Sequence, residues 1–304
     1  MWFDPPRAIP ARPFAALPEA HRRPRRTAWS DANRGGAAID SFLEGPCFDA
    51  AGRLHVTDIP NGRVFRIGPA GGGAWELVAE YEGWPNGMAA APAGGPHGGS
   101  LLITDYRHGL LSLDPATGAI APVLETVLSE GFKGLNDLAV AAGGAVLFTD
   151  QGQTGLQDPT GRVFRLGADG RLDRLIANGP SPNGIALNAA GTHCHVAMTR
   201  SCEVWRFALR PDAVVGKAQC FVRIPAGASG PDGLAVDAQG RLFVANPGHG
   251  QVWVVDPHGV IVLRVDCTEF GRHTTNCCLA PDGRTLLITE SGSGRVLAAD
   301  IPPA

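Results

Sequence analysis

The chain has 304 residues, of which 44% are hydrophobic and 18% charged, so it can bury a large core. Its net charge of −3 provides no basic face for phosphate backbones, and nucleic acid is excluded as an expected partner. The sequence has no apolar run long enough to span a bilayer, and its N-terminus has prolines where a secretory signal would be apolar. We therefore expect a cytoplasmic protein and no membrane partner.

The first segment, residues 1–35, is rich in proline and contains the basic run 21–26. It lacks the pattern of the rest of the chain. We therefore interpret it as an N-terminal extension that is either packed on the following domain or flexible beside it. Residues 36–304 are predicted to form one domain, and residues 36–43 are expected to provide an outer strand that closes its ring of sheets.

Six similar units follow from residue 44, each with strand-length apolar runs separated by glycine-containing turns. Each unit begins with a polar residue, at intervals of 42 to 50 residues. We call these six residues the anchors: Glu44, Asn86, Asn136, Asn183, Asp232 and Asn276. Four short strands in each repeat of this length are typical of a β-propeller blade. The sequence thus predicts an all-β, six-bladed propeller with four-stranded blades.

The anchors could mark ordinary turns, or they could be copies of one functional position. Asn-Gly, as in "SPNGIAL" (181–187), is a common turn dipeptide, and we expect Gly184 to lie in a turn. Turn chemistry does not explain Glu44, nor a polar residue at the start of every unit. Because the first strand of each blade lines the central channel, the anchors should form a ring at one mouth.

This ring provides only oxygen ligands, from two carboxylates and four amides. Such ligands suit Ca²⁺, and Mg²⁺ or Mn²⁺ are possible. Zn²⁺ usually takes His or Cys ligands and is disfavoured without being excluded. The sequence therefore predicts one central site for a divalent cation.

The second strand of each blade should end at the same mouth. The residues that end or follow these strands are expected to face it: Asp58, Asp105, Tyr106, Arg107, His108, Asp150, Gln151, Thr199, Arg200, Asn246, His249 and Glu290. Arg107, His108, Arg200 and His249, with the anchors Asn86 and Asn276, are candidates for substrate binding. A solvated surface role is the alternative for the four loop residues.

Four motifs occur in order, one per unit: "EGP" (44–46), "LND" (135–137), "PNG" (182–184) and "PDG" (231–233). With "TNCCLAPDGRTLLITES" (275–291), they resemble the senescence marker protein (regucalcin) and gluconolactonase family over residues 40–301. The resemblance implies a six-bladed propeller with one catalytic divalent metal, usually Ca²⁺, that hydrolyses sugar lactones. It implies Glu44, Asn183 and Asp232 as metal ligands, with Asn136 beside the metal as a ligand or substrate contact.

Lactone hydrolysis is the favoured hypothesis, with Asp232 as general base and with Asn136 and Asn183 orienting the carbonyl and water. The family's arginine shortly before the "ND" asparagine is absent, and Lys133 is the nearest cation. A related branch that cleaves organophosphates has a histidine at about the position of Cys278. A phosphotriester hydrolase and a non-catalytic, metal-stabilised ligand-binding propeller are the alternatives.

Cysteine and histidine patterns predict no further site. The seven cysteines include no CxxC pair, and we expect free, mostly buried thiols, with Cys277 and Cys278 structural. The "HCH" run (193–195) would place both histidines on one face of a strand. We interpret it as structural rather than as a metal site.

Overall fold

Six β-sheets surround a central channel in the computed structural model, which describes residues 6–68, 74–210, 215–225, 227 and 229–303. The inner strands of all six sheets line a channel cavity of about 350 Å³. Each sheet contributes four antiparallel strands to the ring. The predicted six-bladed propeller with four-stranded blades is confirmed.

The N-terminal segment contains two strands and one short helix: β1 (Arg7–Pro10), β2 (Arg12–Ala16) and α1 (Ala28–Asn33). The first blade is formed by β3 to β6 (Leu43–Phe48, Leu54–Asp58, Arg63–Ile67, Trp75–Glu80). The second is formed by β7 to β10 (Pro85–Ala90, Leu101–Asp105, Gly109–Leu113, Ile120–Leu124). A small hairpin, β11 and β12 (Thr126–Val127, Glu130–Gly131), leads to the third blade.

The third blade contains β13 to β16 (Leu135–Val140, Val146–Asp150, Gly161–Leu166, Leu172–Gly179). The fourth contains β17 to β20 (Pro182–Leu187, His193–Met198, Glu203–Ala208, Gln219–Arg223). The fifth contains β21 to β24 (Leu234–Val236, Leu242–Asn246, Gln251–Val255, Ile261–Asp266). The sixth contains β25 to β27 (Thr274–Leu279, Thr285–Glu290, Arg295–Asp300).

Three short 3₁₀ helices complete the described structure (Glu19–His21, Ile59–Asn61, Thr199–Ser201). No helix in these described residues has the length and apolar character needed to cross a membrane.

The ring is closed by the N-terminal segment. Strand β2 pairs with β27 and becomes the outermost strand of the sixth blade, while β1 adds to β24 in parallel. The prediction that residues 36–43 close the ring was wrong. Residues 36–42 belong to none of the blade strands, and Leu43 begins β3, an innermost strand rather than an outer one. The propeller's strands therefore begin at Arg7.

Apolar side chains fill the spaces between neighbouring blades. The described residues contain six hydrophobic clusters, and each joins two adjacent blades. At the closure between the sixth and first blades, Leu17 and Ala15 pack with Phe65 and Leu287. This packing explains why the N-terminal strand docks there, since it covers the outer edge of the last blade and removes an unpaired strand edge.

Glycines that follow the anchors allow the inner strands to approach one another. Gly184 lies within β17, so its predicted place in a turn was wrong. A Cβ atom on Gly184 would lie 2.2 Å from the carbonyl oxygen of Asp232, and one on Gly87 would lie 2.2 Å from Oδ1 of Asp137. A Cβ atom on Gly233 would lie 2.1 Å from Oδ1 of Asn276. Glycine is therefore required here by contact between blades.

Replacing Gly184 with alanine should destabilise the protein by about 1–3 kcal/mol, because the new methyl group must displace the backbone of the next blade. Gly143→Ala is the matched control, since a Cβ atom there meets no atom within 4 Å. Urea denaturation measures both variants. Equal stability of the two variants would contradict the close-approach explanation.

The "HCH" strand contributes to two cores. Cys194 is buried in the cluster between the third and fourth blades. His195 is 5% exposed and packs edge-on against Phe221, with ring centroids 5.1 Å apart. Burial, together with nearby Arg206 and His193, lowers the pKa of His195 to about 4. A neutral, packed imidazole fits the structural interpretation of this run.

The free energy of unfolding should depend on pH through His195. The unfolded chain binds a proton below about pH 6.5, whereas folded His195 binds one only near pH 4, so stability falls as pH falls through this window. Thermal melts of wild type and His195→Phe between pH 7 and about pH 4 measure the effect. The variant should lose less stability on acidification, and parallel curves would contradict the prediction.

Candidate active site in the central channel

The inner strands bring the anchors to one end of the channel. Glu44, Asn86, Asn136 and Asn183 are the second residues of their strands, and Asn276 is the third residue of β25. In each of these five strands the pairing register shifts at or beside the anchor. Such bulges bend a strand and redirect its side chains. They allow polar side chains to turn into the channel while the strand remains paired further along.

Glu44 is buried and hydrogen-bonded within the ring. Its Oε2 accepts hydrogen bonds from the Gly45 backbone N–H at 2.9 Å and from Asn276 Nδ2 at 2.9 Å. Burial, added to repulsion from Asp137, raises the pKa of Glu44 to about 7. The structure therefore brings the anchors of the first and sixth blades into direct contact.

Asp137 is a member of the site that the sequence prediction missed. Its carboxylate accepts from the Leu138 N–H at 2.8 Å and from Asn276 Nδ2 at 3.4 Å, and burial raises its pKa to about 7. Regular alternation would direct Asn136 and Asp137 to opposite faces. Both residues lie in the register shift of β13. The signal that could have found Asp137 was two consecutive polar residues in an otherwise apolar inner strand.

Asp232 and Asn183 form the opposite part of the ring. Burial and repulsion from Glu44 and Asp137 raise the pKa of Asp232 well above its usual range, while a contact from the Asn183 side chain partly opposes this shift. None of the three carboxylates forms an ion pair with Lys or Arg in the described part of the chain. Arg200 and Arg34 attract Asp232 without pairing with it, so the negative charge of the site is only partly offset by protein cations.

This donor set fits a divalent cation. Carboxylate and amide oxygens are the ligands that Ca²⁺ takes, and buried carboxylates that repel one another are stabilised by a positive charge. Within the described ranges, no three Cys, His, Asp or Glu side chains meet in an arrangement that would hold an ion by themselves. A cation here would therefore need amide oxygens as well as carboxylates.

Asn136 belongs to a chain of polar contacts at the mouth. Its Nδ2 donates to Gln151 Oε1 at 2.7 Å, and Gln151 Nε2 donates to Ser181 Oγ at 2.9 Å. Its own Oδ1 is left as the oxygen available to a ligand. Asn86 is half-buried, and its backbone carbonyl accepts from Thr57.

A polar cavity of about 270 Å³ adjoins this network. Its lining residues are Asn33, Gln151, Gly152, Gln153, Thr154, Gln157, Ser181 and Arg200. Arg200 therefore reaches the mouth, as predicted for a substrate-binding candidate, although that role remains a prediction. Asn33 shows that the N-terminal segment also forms part of the mouth.

The other loop candidates contact neighbouring loop residues. Arg107 is 3.3 Å from Glu82 and lies over the Trp84 ring, while His108 Nε2 is 2.6 Å from the Glu82 carbonyl oxygen. His249 is half-buried beside Gly227. Substrate contacts from these three residues remain predictions.

Acidic residues at the ends of the second strands hold loops in place instead of projecting into the mouth. Asp58 pairs with Arg63, and Asp150 pairs with Arg162. Asp105 accepts hydrogen bonds from the backbone N–H groups of Arg107 and His108. Glu290 accepts hydrogen bonds from the backbone N–H groups of His273 and Ser293. These four carboxylates were expected to face the mouth. Each is instead fully buried and bonded to loop N–H groups or to an arginine at the same blade end, so they stabilise the loops around the mouth.

The chain is similar in sequence to proteins that are named as hydrolases. A gluconolactonase from Zymomonas mobilis is 30% identical over 223 residues, which cover 68% of this chain and 60% of that protein's length. Diisopropyl-fluorophosphatase from Loligo vulgaris is 26% identical over 280 residues, covering 83% of this chain and 87% of that protein.

Solved structures agree with the fold. A gluconolactonase from Xanthomonas campestris superposes with a TM-score of 0.74 at 25% identity, covering 98% of this chain and 99% of that chain. A calcium-binding regucalcin from Agrobacterium tumefaciens shares the fold with a TM-score of 0.74 at 22% identity, covering 97% and 95% of the two chains. Residues 42–292 match the SMP-30/gluconolactonase/LRE-like region. The chain therefore belongs to the SMP-30/gluconolactonase/LRE-like family, as its motifs predicted.

Proposed function

We propose that the protein is a divalent-cation-dependent lactonase that hydrolyses a small, sugar-type lactone to its hydroxy acid. The observation that carries this proposal is the set of buried carboxylates Glu44, Asp137 and Asp232, which repel one another at the channel end and form no ion pair with Lys or Arg among the described residues. Relatives named gluconolactonase and lactonase support the choice of reaction.

Glu44, Asn183 and Asp232 would hold the cation, with Asn136 beside it as a further ligand or a substrate contact. Ca²⁺ is the proposed ion because all of these donors are oxygen atoms. Mg²⁺ and Mn²⁺ share this preference for oxygen, whereas Zn²⁺ fits less well. When bound, such an ion polarises a lactone carbonyl and stabilises the negative charge that develops on its oxygen.

Asp232 is proposed as the general base. A water molecule attacks the lactone carbonyl carbon, and Asp232 takes the proton that the water loses. The ring C–O bond then breaks, and the proton passes to the departing alkoxide oxygen, giving the hydroxy acid. Gln151 fixes the amide of Asn136 through the 2.7 Å hydrogen bond, so Asn136 Oδ1 can accept a hydrogen bond from the attacking water without rearranging.

Phosphotriester hydrolysis is the second candidate, supported by the likeness to diisopropyl-fluorophosphatase across most of both chains. Cys278 weighs against it, because the resemblance places a histidine of that branch at about this position. Cys278 is half-buried in the channel wall with a pKa raised to about 12 by burial, so it does not act as a proton-transfer group near neutral pH.

Removal of a proposed ligand should weaken cation binding. Asn183→Ala removes an amide oxygen, and we expect Ca²⁺ affinity to fall about tenfold or more while the melting temperature of the metal-free protein changes little. Asn183→Asp restores an oxygen ligand and should recover binding. Isothermal titration calorimetry measures all three proteins, and equal Ca²⁺ affinity for wild type and Asn183→Ala would remove Asn183 from the site.

Hydrolysis itself is tested with a lactone panel, read by acid release, with and without Ca²⁺ after chelation. Wild type should hydrolyse at least one sugar-type lactone only when the ion is present, and Asp232→Ala should lower kcat by about 10²-fold or more. Fluoride release from an organophosphate without lactone turnover would favour the second candidate. Ca²⁺ binding without turnover of either class would favour a non-catalytic ligand-binding propeller.

A further inference from the structure

Arg34 lies above the two inner strands that carry Glu44 and Asn276. It follows α1 directly, and its guanidinium stacks over the Phe42 ring at 4.8 Å from the ring centre. Its Nη1 lies 3.3 Å from His273 Nε2. Phe42 is two residues before Glu44, and His273 is three residues before Asn276. Arg34 therefore sits at the rim of the mouth, between the first and sixth blades.

The helix that precedes Arg34 is held firmly at this position. The Thr27 side chain caps α1 by accepting from the Ser30 N–H at 3.1 Å, and Ser30 Oγ accepts in turn from the Thr27 N–H at 2.9 Å. The buried Trp29 ring packs on Phe42 with ring centres 4.8 Å apart. These contacts preorganise the guanidinium, so little conformational freedom is lost when it binds a ligand.

Space for a ligand adjoins this cation. A cavity of about 410 Å³ is lined by Arg34, Asp40, Phe42, His273 and Ser291, among others. On the other side, Asn33 lines the polar cavity that contains Gln151, the partner of Asn136. The end of α1 thus stands between two cavities. One contains Gln151, the partner of Asn136, and the other is lined by Phe42 and His273, which precede the strand positions of Glu44 and Asn276.

The charge on Arg34 has no carboxylate partner among the described residues. Asp40, which lines the same cavity, is already paired with Arg22 at 2.5 Å. Burial disfavours the Arg34 cation and lowers its pKa, and attraction to Asp232 offsets part of this cost. A half-buried guanidinium without an ion-pair partner is well suited to receive an oxyanion from outside the chain.

Lys133 is held in a different contact. The resemblance predicts an arginine shortly before Asn136 that grips the substrate, and Lys133 is the nearest cation in sequence. Its Nζ donates to Thr160 Oγ1 at 2.8 Å and is engaged with the neighbouring loop. Two other cations therefore reach the mouth: Arg34 from the N-terminal segment and Arg200 from the fourth blade. Arg34 is the half-buried one of the two, whereas Arg200 is exposed.

We propose that Arg34 is a specificity-determining residue that binds an oxyanion, a carboxylate or a phosphate, carried by the lactone substrate away from its ring carbonyl. This inference rests on the proposed lactonase function and names its substrate class as anionic lactones. The planar guanidinium can donate two parallel hydrogen bonds to either oxyanion. The carbonyl would then point towards the anchors while the charged group remains at the rim.

The experiment compares wild type, Arg34→Gln, Arg34→Lys and Arg174→Gln in the Ca²⁺-loaded protein. Arg174→Gln is the charge-matched control, since Arg174 is exposed on the outer strand β16. Substrates are gluconolactone, its 6-phosphate and a carboxylate-bearing glucarolactone. Wild type should prefer an anionic lactone. Arg34→Gln should lower the anionic-to-neutral ratio of kcat/KM about tenfold or more, mainly through KM, while Arg34→Lys retains part of it.

A second readout does not depend on turnover. Calorimetric affinity for the anionic hydroxy acids should fall about tenfold or more in Arg34→Gln and remain unchanged in Arg174→Gln. If the phosphate-bearing acid loses more affinity, Arg34 recognises a phosphate. If the carboxylate-bearing acid loses more affinity, it recognises a carboxylate. The inference is overturned if Arg34→Gln changes neither the anionic-to-neutral ratio of kcat/KM nor the affinity for the acids. It is also overturned if kcat/KM falls equally for neutral and anionic substrates and the melting temperature falls, because that result shows a structural role.

The two proposals fail separately. Hydrolysis of neutral lactones by wild type with no dependence of specificity on Arg34 overturns the inference and leaves the lactonase proposal intact. Absence of any lactone hydrolysis overturns the lactonase proposal. In that case the acid-binding titrations still decide the role of Arg34, because an Arg34→Gln variant that binds these acids as wild type does removes it as an anion contact.

Discussion

The close approach of six inner strands at the channel is the constraint on which the rest of the structure depends. Gly45, Gly87, Gly184 and Gly233 lie where a side chain would strike the next blade. Because these glycines have no Cβ, the backbones of neighbouring blades can approach closely, and the residues beside the glycines are buried in a narrow channel. The same glycines therefore serve both the packing of the ring and the convergence of the anchors.

That convergence has an electrostatic consequence. Glu44, Asp137 and Asp232 are buried together, and repulsion adds to burial in raising the pKa values of Glu44 and Asp232. Hydrogen bonds from Asn276 and nearby backbone N–H groups offset only part of this cost. A bound cation would remove the repulsion and use the same oxygen atoms. The proposed catalytic site is thus also a place where the metal-free fold stores unfavourable electrostatic energy.

Much of this architecture follows from local sequence pattern, because each blade repeats the same order of strands and turns. Most of the wrong predictions concern contacts between segments that are distant in the sequence. The partner of β27 is β2, which lies near the other end of the chain, and Gly184 is fixed by a neighbouring blade rather than by its own turn. Asp137 was missed because a bulge breaks strand alternation. Arg34 was missed because its segment has no repeat to place it at the channel.

The central claim is that the anchors hold a divalent cation at the channel end. A crystal structure of the protein grown with Ca²⁺, with anomalous data to identify the ion, tests it most directly. We predict one ion bound by side-chain oxygens of Glu44, Asn183 and Asp232, with Asn136 beside it, at about 2.3–2.6 Å. A well-ordered channel in which these side chains contact only one another and water, at saturating Ca²⁺, would contradict the account.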